Sequence, residues 1–281
     1  MHHHRTLQRR VMIIVGSLAL LAILVATPLI VNNDLRYDLA LQTNLVPGKD
    51  AEVIADSADG ALLIVIPLNN GDASDTNPWL YRAQFIAWPN EQGNELENLE
   101  TGERVLVPLK TIDFTSANGD GTLMLMRGEH TDSGDMAAFT IEPESMAVDQ
   151  LDSADAVPDV PGEWETPTWE KTYGFCHRPS PNKRLVGCFL RADAASYLAG
   201  DWQLSVQYWG EYEEIEAIYR GRGFVPWMGF VHNDTVIYLQ NEISIVRVEV
   251  PEGVLESAPA GELYANPMAT PAGTPLATPH S

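Results

Sequence analysis

Two cysteines in 281 residues leave no material for a disulfide-dense scaffold, an iron–sulfur cluster or a four-cysteine zinc site. Bases are scarce as well: 17 Lys and Arg stand against 39 Asp and Glu, a formal net charge of −22. Nucleic-acid binding needs clustered cations to replace phosphate counterions, so that class is excluded. Equally missing are Gly-x-Ser-x-Gly, His-Glu-x-x-His and Ser-x-x-Lys, a Gly-rich phosphate loop, a dinucleotide fingerprint and the Cys-x-x-Cys-His of covalent haem. These absences point away from an enzyme and call for no cofactor and no metal.

One long apolar run is present. Val11 to Val31 (VMIIVGSLALLAILVATPLIV) carries no charge, and as a helix at 1.5 Å per residue it spans about 30 Å, the thickness of a bilayer's hydrocarbon core. Arg5, Arg9 and Arg10 precede it, while Asp34, Arg36 and Asp38 follow it. The positive-inside bias then keeps residues 1–10 in the cytoplasm as a basic stub and sends the remainder outward. The run is long for a signal peptide, and Ala26-Thr27-Pro28 makes a poor cleavage site. No cysteine follows it for lipid attachment, and it lacks the Glu that follows a pilin leader within the apolar run. The expectation is an uncleaved single transmembrane helix over 11–31, with Gly16, Ser17, Ala19 and Ala22 offering small residues for close packing against other helices.

After a juxtamembrane connector at 32–50, short apolar runs are broken by Gly, Asn, Asp and Pro every eight to twelve residues, which predicts antiparallel β structure. Residues 51–141 form an expected first β lobe, with strands over Ala61–Leu68, Trp79–Trp88, Arg104–Phe114, Thr122–Arg127 and Met136–Ile141. Asn118-Gly119-Asp120-Gly121 reads as a hairpin turn. Glu142 to Glu170 holds many acids, several prolines and no Lys or Arg until Lys171, so 142–171 is expected to be an extended acidic linker, with Trp164 and Trp169 packing on the second lobe. That lobe, 172–256, has expected strands at Thr172–His177, Arg184–Arg191, Trp202–Trp209, Glu211–Tyr219, Gly223–Val231, Thr235–Gln240 and Ile243–Val250, with His232-Asn233-Asp234 as a tight turn. In the tail, 257–281, Pro267, Pro271, Pro275 and Pro279 recur every fourth residue, a pattern without a core. The fold class is mainly β: one transmembrane helix, then two small sandwich- or barrel-like lobes.

Few constellations carry chemistry. Cys176 and Cys188 flank a short hairpin-like segment, and in an extracytoplasmic domain they read as a disulfide. The rival, a soft-metal site of Cys176, His177 and Cys188, lacks the spacings of copper-binding proteins. Ser116–Gly121 imitates half of an EF-hand loop, but its twelfth position is Arg127; the oxygen-rich stretch Asn69–Asn77 reads as turn chemistry. Asn233-Asp234-Thr235 spells a glycosylation acceptor within the turn. Basic and aromatic residues mix in one place, Arg220-Gly221-Arg222-Gly223-Phe224-Val225-Pro226-Trp227, so Arg220, Arg222, Phe224 and Trp227 form the candidate contact surface.

The sequence therefore points to a non-catalytic accessory or scaffold subunit of an envelope membrane complex. It would cross the cell membrane once, with its partners the bilayer and other membrane-protein subunits. A surface module binding glycans through its tryptophans, or cations through its acids, is the alternative. An extracytoplasmic hydrolase or metal-handling protein is the third.

Overall fold

The computed structural model describes residues 32–69, 79–156, 164–165, 176–191, 202–209, 216–222, 227–241 and 243–260. The run expected to cross the membrane, with Gly16, Ser17, Ala19 and Ala22, lies outside them, as do Phe224 and the Pro-rich tail beyond 260. Among the described residues no helix is long and apolar enough to cross a membrane.

The protein is mainly β, as its alternation of short apolar runs and turn residues predicts, and its sheets curl into a half-barrel. A helix at Asn33–Gln42 (α1) precedes the strands Glu52–Asp56 (β1), Leu62–Asn69 (β2), Trp79–Asn90 (β3), Gly93–Asn98 (β4), Arg104–Val107 (β5), Phe114–Asn118 (β6), Met124–Glu129 (β7), Met136–Glu142 (β8) and Ala147–Gln150 (β9). Trp164–Glu165 (β10), Cys176–Pro179 (β11), Leu185–Arg191 (β12), Trp202–Tyr208 (β13), Glu216–Gly221 (β14), Trp227–Val231 (β15), Val236–Gln240 (β16) and Ser244–Glu249 (β17) follow, before a short helix at Glu252–Ser257 (α2).

The strands form three sheets. The largest, eight-stranded, runs β1-β17-β16-β15-β3-β4-β5, with β2 also paired to β3. A five-stranded sheet runs β10-β6-β7-β8-β9, and a four-stranded one β11-β12-β13-β14. This arrangement corrects the division into two lobes. Strands β15–β17 come from the expected second lobe, yet they lie between β1 and β3 of the first. Antiparallel pairing of β1 with β17 closes one flank, and a parallel bridge between Phe230 and Arg82 closes the other. At that join Gly229 lies flat on the β3 backbone, where a Cβ would come within 2.3 Å of the Ala83 nitrogen. Gln240 adds a side-chain tie: its Oε1 accepts the Leu63 N–H at 2.8 Å, and its Nε2 donates to the Ala61 carbonyl at 3.2 Å.

Each smaller sheet covers part of the large one. Met124, Met126, Phe139 and Ile141 of the five-stranded sheet bury Ile64, Ile66, Phe85 and Leu96. Leu185, Leu204 and Val206 of the four-stranded sheet meet Met228, Phe230, Ile237 and Val246, with Val254 of α2. Where the large sheet curls, Leu63, Val65 and Ile86 pack against Val231, Val236 and Ile245. That third cluster unites residues on both sides of the expected linker. At about 25 cal/mol per Å² of apolar surface removed from water, such burial binds the two halves into one body.

The linker reading is corrected too. Its first part turns back as β9, pairing with β8 from Phe139↔Gln150 to Glu142↔Ala147. Further on, the Trp164 and Glu165 backbone pairs with Asn118 and Ala117 of β6, which adds these two residues to the five-stranded sheet; Trp169 lies outside the described residues. The expected strand Arg104–Phe114 is split at Pro108, which has no N–H to donate to a ladder; only an isolated bridge, Leu109 to His130, lies between β5 and β6.

Candidate functional site

The segment that follows the apolar run is built as a docking piece. Asn32 caps α1: its Oδ1 accepts the Leu35 N–H at 3.1 Å, and its carbonyl accepts the Arg36 N–H at 3.2 Å, satisfying donors that a helix start leaves unpaired. At the other end Asn44 takes a left-handed conformation, φ +55°. There the Leu45 N–H reaches the Ala40 carbonyl at 2.9 Å and the Asn44 N–H the Leu41 carbonyl at 3.2 Å, the bonding of a Schellman stop. Between these caps Tyr37, Ala40 and Leu41 share one face and gather with Val46.

That face sits against β14. The Tyr37 hydroxyl donates to the Arg220 carbonyl and lies 3.3 Å from the Tyr219 hydroxyl. The Arg222 guanidinium stands over the Tyr37 ring, 5.3 Å from its centroid, within the range of a cation–π contact. Burial pushes the Tyr37 phenol far above its ordinary range, with Tyr219 adding to the effect, and burial raises Tyr219 as well. Both therefore stay neutral and hydrogen-bonding. The Arg220 N–H also donates to the Pro47 carbonyl at 3.2 Å, and its Nη2 donates to Gln203 Oε1 at 3.0 Å. Gly48 completes the seat. Its φ is +104°, and a Cβ there would lie 2.3 Å from Tyr219 Cδ2.

Two of the four candidate contact residues thus meet the protein's own N-terminal helix. Trp227 does not join them: it packs with the cluster around Val231 and Tyr238. Phe224 lies outside the described residues. Tyr37, the centre of the seat, falls in the juxtamembrane connector 32–50 and is not among the expected contact residues; the i, i+3, i+4 spacing of Tyr37, Ala40 and Leu41 behind a capping Asn is the available signal.

A second cluster forms where turns meet. His232, Asn233 and Asp234 all have positive φ, +51°, +55° and +69°, in the expected turn between β15 and β16. Asp234 is 1% exposed. Its Oδ2 accepts the Ser180 hydroxyl at 2.7 Å, and the Asn182 backbone N–H supports the carboxylate further; Oδ1 is buried without a hydrogen bond. Burial pushes the carboxyl up to about 6, against the pull of these donors and of Arg184, while Glu100 adds to the rise. Glu100 in turn accepts the His232 N–H at 2.8 Å and meets His232 Nδ1 at 3.1 Å.

A serine, an aspartate, a histidine and a glutamate near one another invite a hydrolase reading, but the geometry refuses it. Ser180 is fully buried, donates to Asp234 and accepts the N–H groups of Leu185 at 3.1 Å and Arg184 at 3.3 Å. No base stands between it and the acid, as a triad requires. The cluster ties the β11–β12 turn to the β15–β16 turn and, through Glu100, to the turn after β4.

Among the described residues no group of three or more His, Cys, Asp or Glu could hold a metal ion. Asn118 and Asp120 do turn chemistry: Asn118 Oδ1 accepts the Leu123 N–H at 2.8 Å, and Asp120 Oδ1 accepts the Thr122 N–H at 3.0 Å. The expected disulfide finds no support in the strand register. Cys176 pairs with Phe189, and His177 with Cys188. The cysteines are one position out of step in this ladder and are not partners across it. Comparison with protein-family models and with curated proteins finds no match to this chain.

Proposed function

We propose that the chain is a non-catalytic, single-pass membrane scaffold subunit. Residues 1–10 face the cytoplasm, the run 11–31 crosses the cell membrane, and the β body stands outside. Gly16, Ser17, Ala19 and Ala22 let the anchor pack closely against helices of neighbouring subunits. The observation that carries this reading is the seat of α1. The segment directly after the apolar run is capped at Asn32 and fixed to β14 through Tyr37 and Arg222, so anchor and body are coupled without a loose tether. A scaffold needs that coupling to hold a partner's outer face at a set distance from the bilayer; a diffusing binding module does not.

The test is purification of the intact protein from native membranes in mild detergent, followed by mass measurement. The expected result is a complex larger than the monomer with a stoichiometric membrane-protein partner. A lone monomer overturns the scaffold reading, and release of the chain from membranes by alkaline carbonate overturns the anchor.

A further inference from the structure

Among the described residues, four of the seven exposed large hydrophobic side chains fall within one short stretch: Leu35 (43% exposed), Leu39 (42%), Leu45 (67%) and Val53 (63%). Two of them form a stripe. At 100° per residue, Leu35 and Leu39 lie about 40° apart on α1, and their mean direction points nearly opposite to the face of Tyr37, Ala40 and Leu41 that is buried on the body. The helix is thus apolar on two sides, and only one is used by the fold. Leu45 follows at the C-terminal stop, the most exposed of the group.

We infer that Leu35, Leu39 and Leu45 rest in the outer headgroup layer of the bilayer, holding the β body down on lipid. This inference builds on the proposed anchor. If Val31 ends the membrane-spanning run, chain connectivity fixes what can lie above it. One extended residue and three helical ones separate Val31 from Leu35, about 8 Å in all. The polar layer outside the hydrocarbon core is about 5–8 Å deep on each side, so with α1 upright Leu35 stands at its outer edge, and tilting the helix carries it inside, where interfacial helices bury their apolar face. Laying α1 flat brings Leu39 to the same depth while Tyr37 keeps its contact with β14.

Charge selects the kind of lipid surface. Asp34, Arg36, Asp38, Lys49 and Asp50 leave this segment without a basic excess, and the whole chain is strongly acidic. Attraction to anionic headgroups, which needs a cluster of Lys and Arg, does not operate here. Contact is by apolar burial alone, on a zwitterionic surface, and is insensitive to salt.

The experiment uses the full chain reconstituted in phosphatidylcholine vesicles, with an environment-sensitive fluorophore on a single cysteine. Both native cysteines are replaced, and the label is carried by Leu39→Cys, Leu45→Cys or, as the reference, Leu106→Cys on β5. The expected result is blue-shifted emission at 39 and 45, quenched at least twofold by lipid-borne nitroxides near the headgroup and unchanged in 1 M salt, with water-like emission at 106. Water-like emission at 39 and 45 in a chain that resists carbonate extraction overturns the lipid contact and leaves the anchor standing. Blue-shifted emission without nitroxide quenching also overturns it, because the occupant is then protein, a second copy or another subunit. Carbonate extraction of the chain instead identifies the anchor as the part that fails.

Discussion

Asp234 makes the structure testable by titration. Its carboxyl titrates at about 6 in the folded protein against 3.8 for an unperturbed side chain. The folded state therefore holds a proton that the unfolded chain has already lost between those two values. Stability conferred by the protonated form is fully present below about pH 4 and is lost as pH rises through 6. Two pK units correspond to roughly 3 kcal/mol. Asp234→Asn removes the charge while keeping an oxygen to accept the Ser180 hydroxyl, and Asn tolerates the left-handed backbone that this position requires. The variant is expected to match the parent near pH 4 and to exceed it by about 3 kcal/mol at pH 7.5. Urea titrations of both proteins in non-ionic detergent, followed by tryptophan fluorescence from pH 4 to 8, measure the difference directly. Subtraction cancels the repulsion among the other acids, which both proteins share. Parallel stability curves, or a variant that is weaker at pH 7.5, would refute the assignment of a buried charged carboxylate.

Three further outcomes are expected. Tyr37→Phe keeps the ring under Arg222 but loses the bond to the Arg220 carbonyl, costing about 1 kcal/mol; limited proteolysis should cut faster between residues 42 and 50, and an unchanged rate would count against the seat. Gly48→Ala must adopt φ +104° and place a methyl against Tyr219, so it should lose about 3 kcal/mol from strain and overpacking together, read as a shifted urea midpoint. Denatured without reductant, the chain should titrate two thiols, because Cys176 and Cys188 are not partners across their ladder; none detected would restore the expected disulfide.

Strand positions were largely legible where side chains alternate. β13, with Trp202, Leu204 and Val206 on one side, lies where its pattern predicts, and the turns at Asn118–Gly121 and His232–Asp234 announce themselves by residues that accept positive φ. β4 was illegible for a physical reason. Its sequence GNELEN offers one apolar residue, and it is held by buried amides: Asn94 Nδ2 donates to the Leu109 carbonyl at 2.7 Å, and Asn98 Nδ2 to the Pro143 carbonyl at 2.8 Å. Alternation also says which face is buried but not which strand lies alongside, so the insertion of β15–β17 between β1 and β3 could not be read. The acidic composition of 142–171 hid a hairpin partner whose pairing is made by the backbone. Asp234 looked like ordinary turn chemistry because nothing local reveals that Ser180, 54 positions earlier, will close over it.

The pairing of β1 with β17 has a consequence for how the chain matures. Residues 52–56 cannot complete their sheet until residues 244–249 have been synthesised, and β3 waits for residue 230 before its bridge to β15 can form. Contacts of such sequence separation make folding slow, because ring closure must be paid before cohesion returns anything. A nascent chain emerging N-terminus first thus spends most of its translation with half-formed sheet edges exposed. A chain stopped before residue 244 has the strands of both smaller sheets but lacks β17, so β1 is left without its partner and the large sheet stays open.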